Sequence, residues 1–214
     1  MTVRGDFAHK HESQLLEALR RGDSDAFGGL IDQHHSALVR LARVWVPAEH
    51  LAEEVAQETW LAVIEGIDGF EGRSSLKTWI VRILINKARQ RAKREGRTIA
   101  FGLSPDADEA PPIGPARFSW IGRWKTPPRP WHEDTPERLV LAAEALKVIE
   151  EALLGLPPAQ RAVILMRDVE GFDANEVCNV LEVTQTNQRV LLHRARSRLR
   201  DVIEAYMDRG ETRR

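Results

Sequence analysis

Cysteine is nearly absent from this sequence: Cys178 stands alone among 214 residues. A lone thiol excludes an intramolecular disulfide framework and a cysteine-based zinc cluster, and it fits a reducing compartment. Net charge is missing too, at −1 from 31 Lys+Arg against 32 Asp+Glu. No uninterrupted apolar run approaches the ~20 residues of a membrane span. The opening MTVRGDFAHKHESQ has no apolar segment of the kind a secretory signal needs. No glycine loop suited to cradling phosphates is present, nor a nucleophile with a base and an orienting partner. His34 and His35 are neighbours in sequence, so on a helix they point about 100° apart and make a poor metal pair. The expectation is a soluble cytoplasmic protein that is not an enzyme, has no cofactor or metal, and does not insert into membranes.

With 43% hydrophobic and 29% charged residues, the chain can bury a core and stay soluble. Its balanced charge is sorted along the sequence. Between Pro47 and Glu71 there are seven acids and no Lys or Arg; between Gly72 and Arg97, nine bases and one acid. Thr184 to Arg200 then holds five arginines and no acid. Phosphate attraction is local and screened beyond ~10 Å, so a neutral chain with two basic blocks can still bind nucleic acid.

The periodicity predicts an all-α protein of two small helical domains joined by a proline-rich linker. The domain reading is a tail over 1–9, a first domain over 10–97, a linker over 98–136, a second domain over 137–207 and a tail over 208–214. In the first domain, Gly22 stops a short helix and Asp23 caps a longer one that Pro47 ends. Leu51, Val55, Trp60 (with Leu61) and Ile64 read as the apolar stripe of the acidic helix. Ser74 or Ser75 caps the basic helix, whose core side takes Leu76, Trp79, Ile80, Ile83 and Leu84. The linker holds eight of the eleven prolines. It also holds Phe118, Trp120, Trp124 and Trp131, too aromatic for an inert spacer. In the second domain, Pro157 and Pro158 suit a helix start, and Asp173 and Thr184 suit N-caps.

The last two helices are separated by only a few residues around Glu182, Val183 and Thr184, the spacing of a helix-turn-helix. Gln185, Thr186, Asn187, Gln188 and Arg189 on its second helix can all hydrogen-bond base edges or phosphates. An arginine-rich helix by itself is more often a solvated end whose bases offset the helix dipole. The short helix before it, the Thr184 cap and the lack of acids turn the balance toward DNA. Phe70 to Glu95 joins a Gly/Ser loop, an aromatic at each end of it and a long basic helix. That combination suits single-stranded DNA, with a track for phosphates and a pocket for an unstacked base. Trp79 itself reads as core.

The stretch AEEVAQETWLAVIEGIDGFEGRSSLKTWIVRILINKARQRAKRE resembles region 2 of bacterial sigma factors of the extracytoplasmic-function (ECF) group. LPPAQRAVILMRDVEGFDANEVCNVLEVTQTNQRVLLHRARSRLR resembles region 4 of the same group. The resemblance implies promoter-specific transcription initiation with core RNA polymerase, promoter DNA (duplex and melted non-template strand) and an anti-sigma factor as partners. It implies that Glu53, Glu54, Gln57 and Glu58 dock on the polymerase clamp, although the family usually has Asp at the Glu54 position. Phe70, Gly72, Arg73, Ser74, Ser75, Ile83 and Asn86 match positions that accept a flipped base of the minus-ten element. Lys77, Arg82, Lys87, Arg89 and Arg91 become candidates for the DNA backbone. Region 4 would read the minus-thirty-five element through Arg189, Val190, His193 and Arg194, with Thr184, Thr186, Asn187 and Arg196 in the same set. Many relatives carry polar or basic residues where this chain has Val190 and Leu191, which leaves the base preference open; Val190 could touch a thymine methyl. The linker tryptophans either thread into polymerase or cover one domain's apolar surface. Two other readings compete: a self-sufficient helix-turn-helix regulator of duplex DNA, and an inhibitor or scaffold that occupies polymerase without reading DNA.

Overall fold

The computed structural model describes the backbone of residues 3–99, 101 and 136–211, and the side chains of 12–99, 101 and 144–207. The linker aromatics Phe118, Trp120, Trp124 and Trp131 lie outside the described residues. Eight α-helices and no strand are found among those described. The first four are α1 (Val3–Arg20), α2 (Ser24–Ala42), α3 (Glu49–Gly66) and α4 (Leu76–Arg94), with a 3-10 turn at Ile67–Gly69. The second four are α5 (Pro136–Leu154), α6 (Pro158–Ile164), α7 (Ala174–Leu181) and α8 (Gln185–Glu211). A wider π-helical turn, Leu165–Val169, continues α6.

The caps lie where local chemistry demands them. Gly22 takes φ 75°, and Asp23 accepts from the backbone N–H groups of Asp25 and Ala26 at 3.0 and 3.1 Å. Ser75 rather than Ser74 caps α4, accepting from Thr78 N at 3.2 Å. Asp173 and Glu176 form a reciprocal capping box at the start of α7, with both bonds at 2.8 Å. Pro158 opens α6, where its missing N–H costs nothing.

The core face of α3 is Ala52, Val55, Ala56, Thr59, Trp60 and Val63. This corrects the apolar stripe expected from spacing: Leu61 and Ile64 are 62% and 48% exposed. Trp60 lies at one edge of the buried face, which centres near Ala56 and Val63; Ile64 and Leu61 are rotated from that centre by roughly 100° and 170°, and the small residues Ala52 and Ala56 let α2 and α4 approach closely. The buried Thr59 hydroxyl donates back to Val55 O at 2.7 Å, so its burial leaves no unmet donor. α4 buries Leu76, Ile80, Val81, Leu84, Ile85, Ala88 and Ala92.

In the second domain, α7 and α8 are joined through Glu182, which adopts the left-handed conformation at φ 60° and ψ 43°. That conformation is strained for a residue with a Cβ, and it turns the chain sharply enough to start α8 three residues later. Gln188, Leu191, Leu192 and Ala195 bury one face of α8. The two domains are not separate bodies. One connected buried cluster runs from Leu19 and Trp45 through Leu84 to Phe172, Leu181 and Ala195. No described helix is long and apolar enough to cross a membrane.

Candidate nucleic-acid and polymerase interfaces

The Phe70–Ser75 loop is positioned by α1, which sequence reading assigned no role. Arg20 Nη2 donates to Phe70 O at 2.6 Å, and Glu12 Oε1 accepts from Leu76 N at 2.7 Å. One helix therefore ties both ends of the loop and satisfies an orphan N–H at the start of α4. Gly72 sits inside the loop at φ 71°, where a side chain would be strained. Gly72, Arg73 and Ser74 are exposed, and Arg73 pairs with Glu71 at 3.0 Å. Phe70 is not exposed: its ring is 6% accessible and packs on Trp79 at 5.1 Å between centroids. A base could meet Phe70 only if that packing opened. Ile83 is half-buried.

Five of the seven bases of α4 divide into three sets. Lys87 and Arg91 turn toward α3, where they meet Glu58 at 3.9 Å and Glu54 at 3.0 Å. Glu53 accepts from His35 Nε2 at 2.9 Å, while the Trp60 indole donates to His35 Nδ1 at 3.2 Å. An indole N–H can only donate, so His35 carries its proton on Nε2. The acidic run on α3, which the sequence left without partners, is thus paired within the domain; Gln57 stays exposed. Lys77 and Arg89 turn toward the second domain. Arg82 and Asn86 are exposed and have no hydrogen bond or ion pair among the described residues.

Lys77 Nζ donates to Glu170 O at 2.6 Å, approaches Glu170 Oε2 at 3.3 Å, and lies 4.8 Å over the Phe172 ring. Arg40 holds the other oxygen of the same carboxylate at 2.7 Å. Arg89 donates to Glu182 Oε2 at 3.2 Å and Leu181 O at 2.8 Å. Its guanidinium also stands 5.7 Å over Phe101. The acids engaged here belong to Asp168–Glu182, a stretch with five acids and no Lys or Arg. That block is legible in the sequence as an acidic run set directly before the arginines of α8.

His34 is half-buried in this seam and lines a small cavity with Ala37, Leu38, Lys77, Ile80 and Val81. Burial first and Lys77 second hold its imidazole below the ordinary 6.5, against an opposing pull from Glu170. A depressed histidine is neutral in the folded chain while the unfolded chain takes up the proton. Its contribution to stability is therefore intact above 6.5 and lost progressively as pH falls from there toward the folded value. Denaturant melts from neutral to mildly acidic pH should show that loss, and His34→Gln should flatten it.

On α8, Thr184 caps the helix by accepting from Asn187 N at 3.2 Å. Thr186, Arg189 and His193 are exposed along one edge of its first turns, with Val190 and Arg194 half-buried beside them. Gln188 cannot serve as a base reader in this arrangement, because it is 2% exposed within the core. Asn187 donates to the Phe101 carbonyl, where the linker begins. Arg196 is held by both oxygens of Asp168, at 2.8 and 2.6 Å, a bidentate pair that raises its already high pKa. Arg196 thus fastens α8 to the π-helical turn, a role the sequence did not suggest. Burial pushes the Cys178 thiol up, so it stays protonated at neutral pH. No three His, Cys, Asp or Glu side chains converge as a metal site among the described residues.

A basic helix beside a tethered Gly/Ser loop, followed by a helix-turn-helix with an open polar edge, defines a two-domain transcription factor class. Residues 30–98 match Sigma-70 region 2 and residues 146–199 match Sigma-70 region 4. The chain belongs to the sigma-70 family of sigma factors. It is 24% identical over 195 residues, 91% of this chain and 95% of the other, to the ECF RNA polymerase sigma-E factor of Salmonella typhimurium. With both regions in order and that near-complete span, it is a sigma factor of the ECF type. Two solved structures share the fold. One is CnrH in complex with the cytosolic domain of CnrY (23% identity, 91% of this chain and 97% of that one, TM-score 0.54). The other is the sigma factor RpoE with the anti-sigma factor NepR from Bartonella quintana (20% identity, 83% and 96%, TM-score 0.55).

Proposed function

We propose that this chain binds core RNA polymerase and directs it to promoters by reading a minus-thirty-five element with α8 and a melted minus-ten element with α4 and its loop. The observation that carries the reading is the pairing of two open polar edges in one chain. Thr186, Arg189 and His193 project from the first turns of a helix-turn-helix, and Arg82 and Asn86 project from a basic helix beside Gly72–Ser74. The first edge suits a major groove, where side chains from such turns reach base edges. The second suits a single strand, whose phosphates and splayed bases lie against a basic surface.

In this scheme the protein supplies binding energy and no chemical step. Polymerase docking falls to the outer face of α3, where Glu54, Gln57 and Glu58 are exposed beside Leu61. Arg91 and Lys87 hold two of those carboxylates in place, so they are presented in fixed positions rather than left free. By likeness to the Bartonella quintana complex, an anti-sigma factor is a further partner, acting in the compartment that holds polymerase.

The test is transcription in vitro from promoter DNA with purified core polymerase, with and without the chain. Specific transcripts that need both components are expected. Tight promoter binding without polymerase and no transcript would favour a self-sufficient regulator instead.

A further inference from the structure

We infer that α1 shapes the minus-ten pocket: Arg20 and Glu12 are positioning residues that hold the two ends of the Phe70–Ser75 loop, and through it they set which unpaired base is accepted. This rests on the reading of the loop given above and assigns its selectivity to a helix outside α4.

The loop does little to hold itself. Among the described residues, no backbone–backbone hydrogen bond involves Glu71, Gly72, Arg73 or Ser74, and all four are exposed. The Arg73–Glu71 pair lies in solvent, where such pairs fix little. Ser74 Oγ reaches only its neighbour's carbonyl, Ser75 O, at 3.3 Å. A segment so weakly bonded opens locally at low cost, so its average shape follows from where its ends are held. Both ends are held by α1. At the first, Arg20 Nη2 donates to Phe70 O at 2.6 Å; at the second, Glu12 Oε1 accepts from Leu76 N at 2.7 Å. Each bond is charge-assisted, the stronger kind, and Glu12 also sets a carboxylate at the positive end of the α4 dipole.

Arg20 and Glu12 are eight residues apart, about 12 Å along the axis, so α1 acts as a strut between the loop's ends. The strut itself is fixed. Leu19 is 1% exposed, and Leu15 and Leu16 pack against the core beside it. Its last turn closes with Gly22 N donating to Leu19 O at 3.0 Å and Asp23 N to Ala18 O at 3.1 Å. Arg20 stands in that turn as an exposed residue, so its bond to the loop is separable from the core. A pocket with pinned ends offers its polar partners at fixed places, which sharpens the difference between one base and another. A slack loop readjusts to any of them, and selectivity falls.

The experiment uses core polymerase with the full chain and a fork-junction DNA randomised in its unpaired strand and its upstream duplex. Bound molecules are recovered and sequenced. The unchanged chain should enrich one base at one or two unpaired positions. Arg20→Ala and Glu12→Ala should each cut that enrichment about two- to tenfold, with duplex preferences and polymerase affinity unchanged. Arg20→Lys and Glu12→Gln keep a donor and an acceptor in place and should restore most of it. The melting midpoint of Arg20→Ala should move by no more than about 4 °C. If Glu12→Ala melts early, the exposed Arg20 decides alone. Undiminished enrichment overturns the proposal. So does an equal loss at every position together with weaker binding overall, the result expected of a helix that only props up the fold. Failure of the minus-ten reading would appear differently: the unchanged chain would then show no base preference in the unpaired strand, and this inference would fall with it.

Discussion

Phe70→Ala is expected to destabilise the chain by about 3–5 kcal/mol, the usual cost of removing a buried phenyl ring. The ring is 6% exposed and packs on Trp79 at 5.1 Å, so truncation opens a cavity and loses an aromatic contact. At about 2–4 °C per kcal/mol for a chain of this size, the melting midpoint should fall by roughly 6–20 °C. Loss of promoter opening in this variant would then report on folding. Asn86→Ala separates the two effects. Asn86 is exposed and unpartnered among the described residues, so its removal should change stability by no more than about 0.5 kcal/mol. A lost contact to a flipped base would cost about 0.5–1.5 kcal/mol, roughly two- to tenfold in open complex. Permanganate footprinting beside a melting curve measures both. A normal bubble with Asn86→Ala sinks base capture by this face; a normally stable Phe70→Ala chain with no bubble would make Phe70 a base contact after all.

Arg189→Ala carries the second large effect. The side chain is exposed on the first turns of α8 between Thr186 and His193, the place from which a helix-turn-helix reaches base edges. A bidentate contact to guanine is worth about 1–3 kcal/mol, so promoter affinity of the polymerase complex should fall by about five- to 150-fold. The loss should shrink when the upstream element is scrambled. A loss equal on every sequence would demote Arg189 to a phosphate contact, and no loss would remove α8 from the groove. Arg196→Ala makes the contrast: tied to Asp168, it should loosen α8 from the π-helical turn rather than change sequence preference.

The sequence by itself determined the local features. Asp23, Asp173 and Thr184 could be read as caps, and the α4 cap narrowed to Ser74 or Ser75, because a cap acts on backbone groups within three residues of itself. The helix-turn-helix followed from two periodic segments too close together for anything but a tight turn. The sorting of charge into blocks was visible as well, and with the two region motifs it pointed to the family. Tertiary structure alone decided which surfaces are free. The α3 acids look unpaired along the chain, yet Arg91 stands 37 residues from Glu54 and only 3.0 Å away. Lys77 and Glu170 are 93 residues apart and share one seam. Gln188 and Phe70 suggest base contacts by residue type and are buried by packing. A cap needs only its own turn of helix, whereas the availability of a charge depends on every element folded against it, and no periodicity within one segment records that.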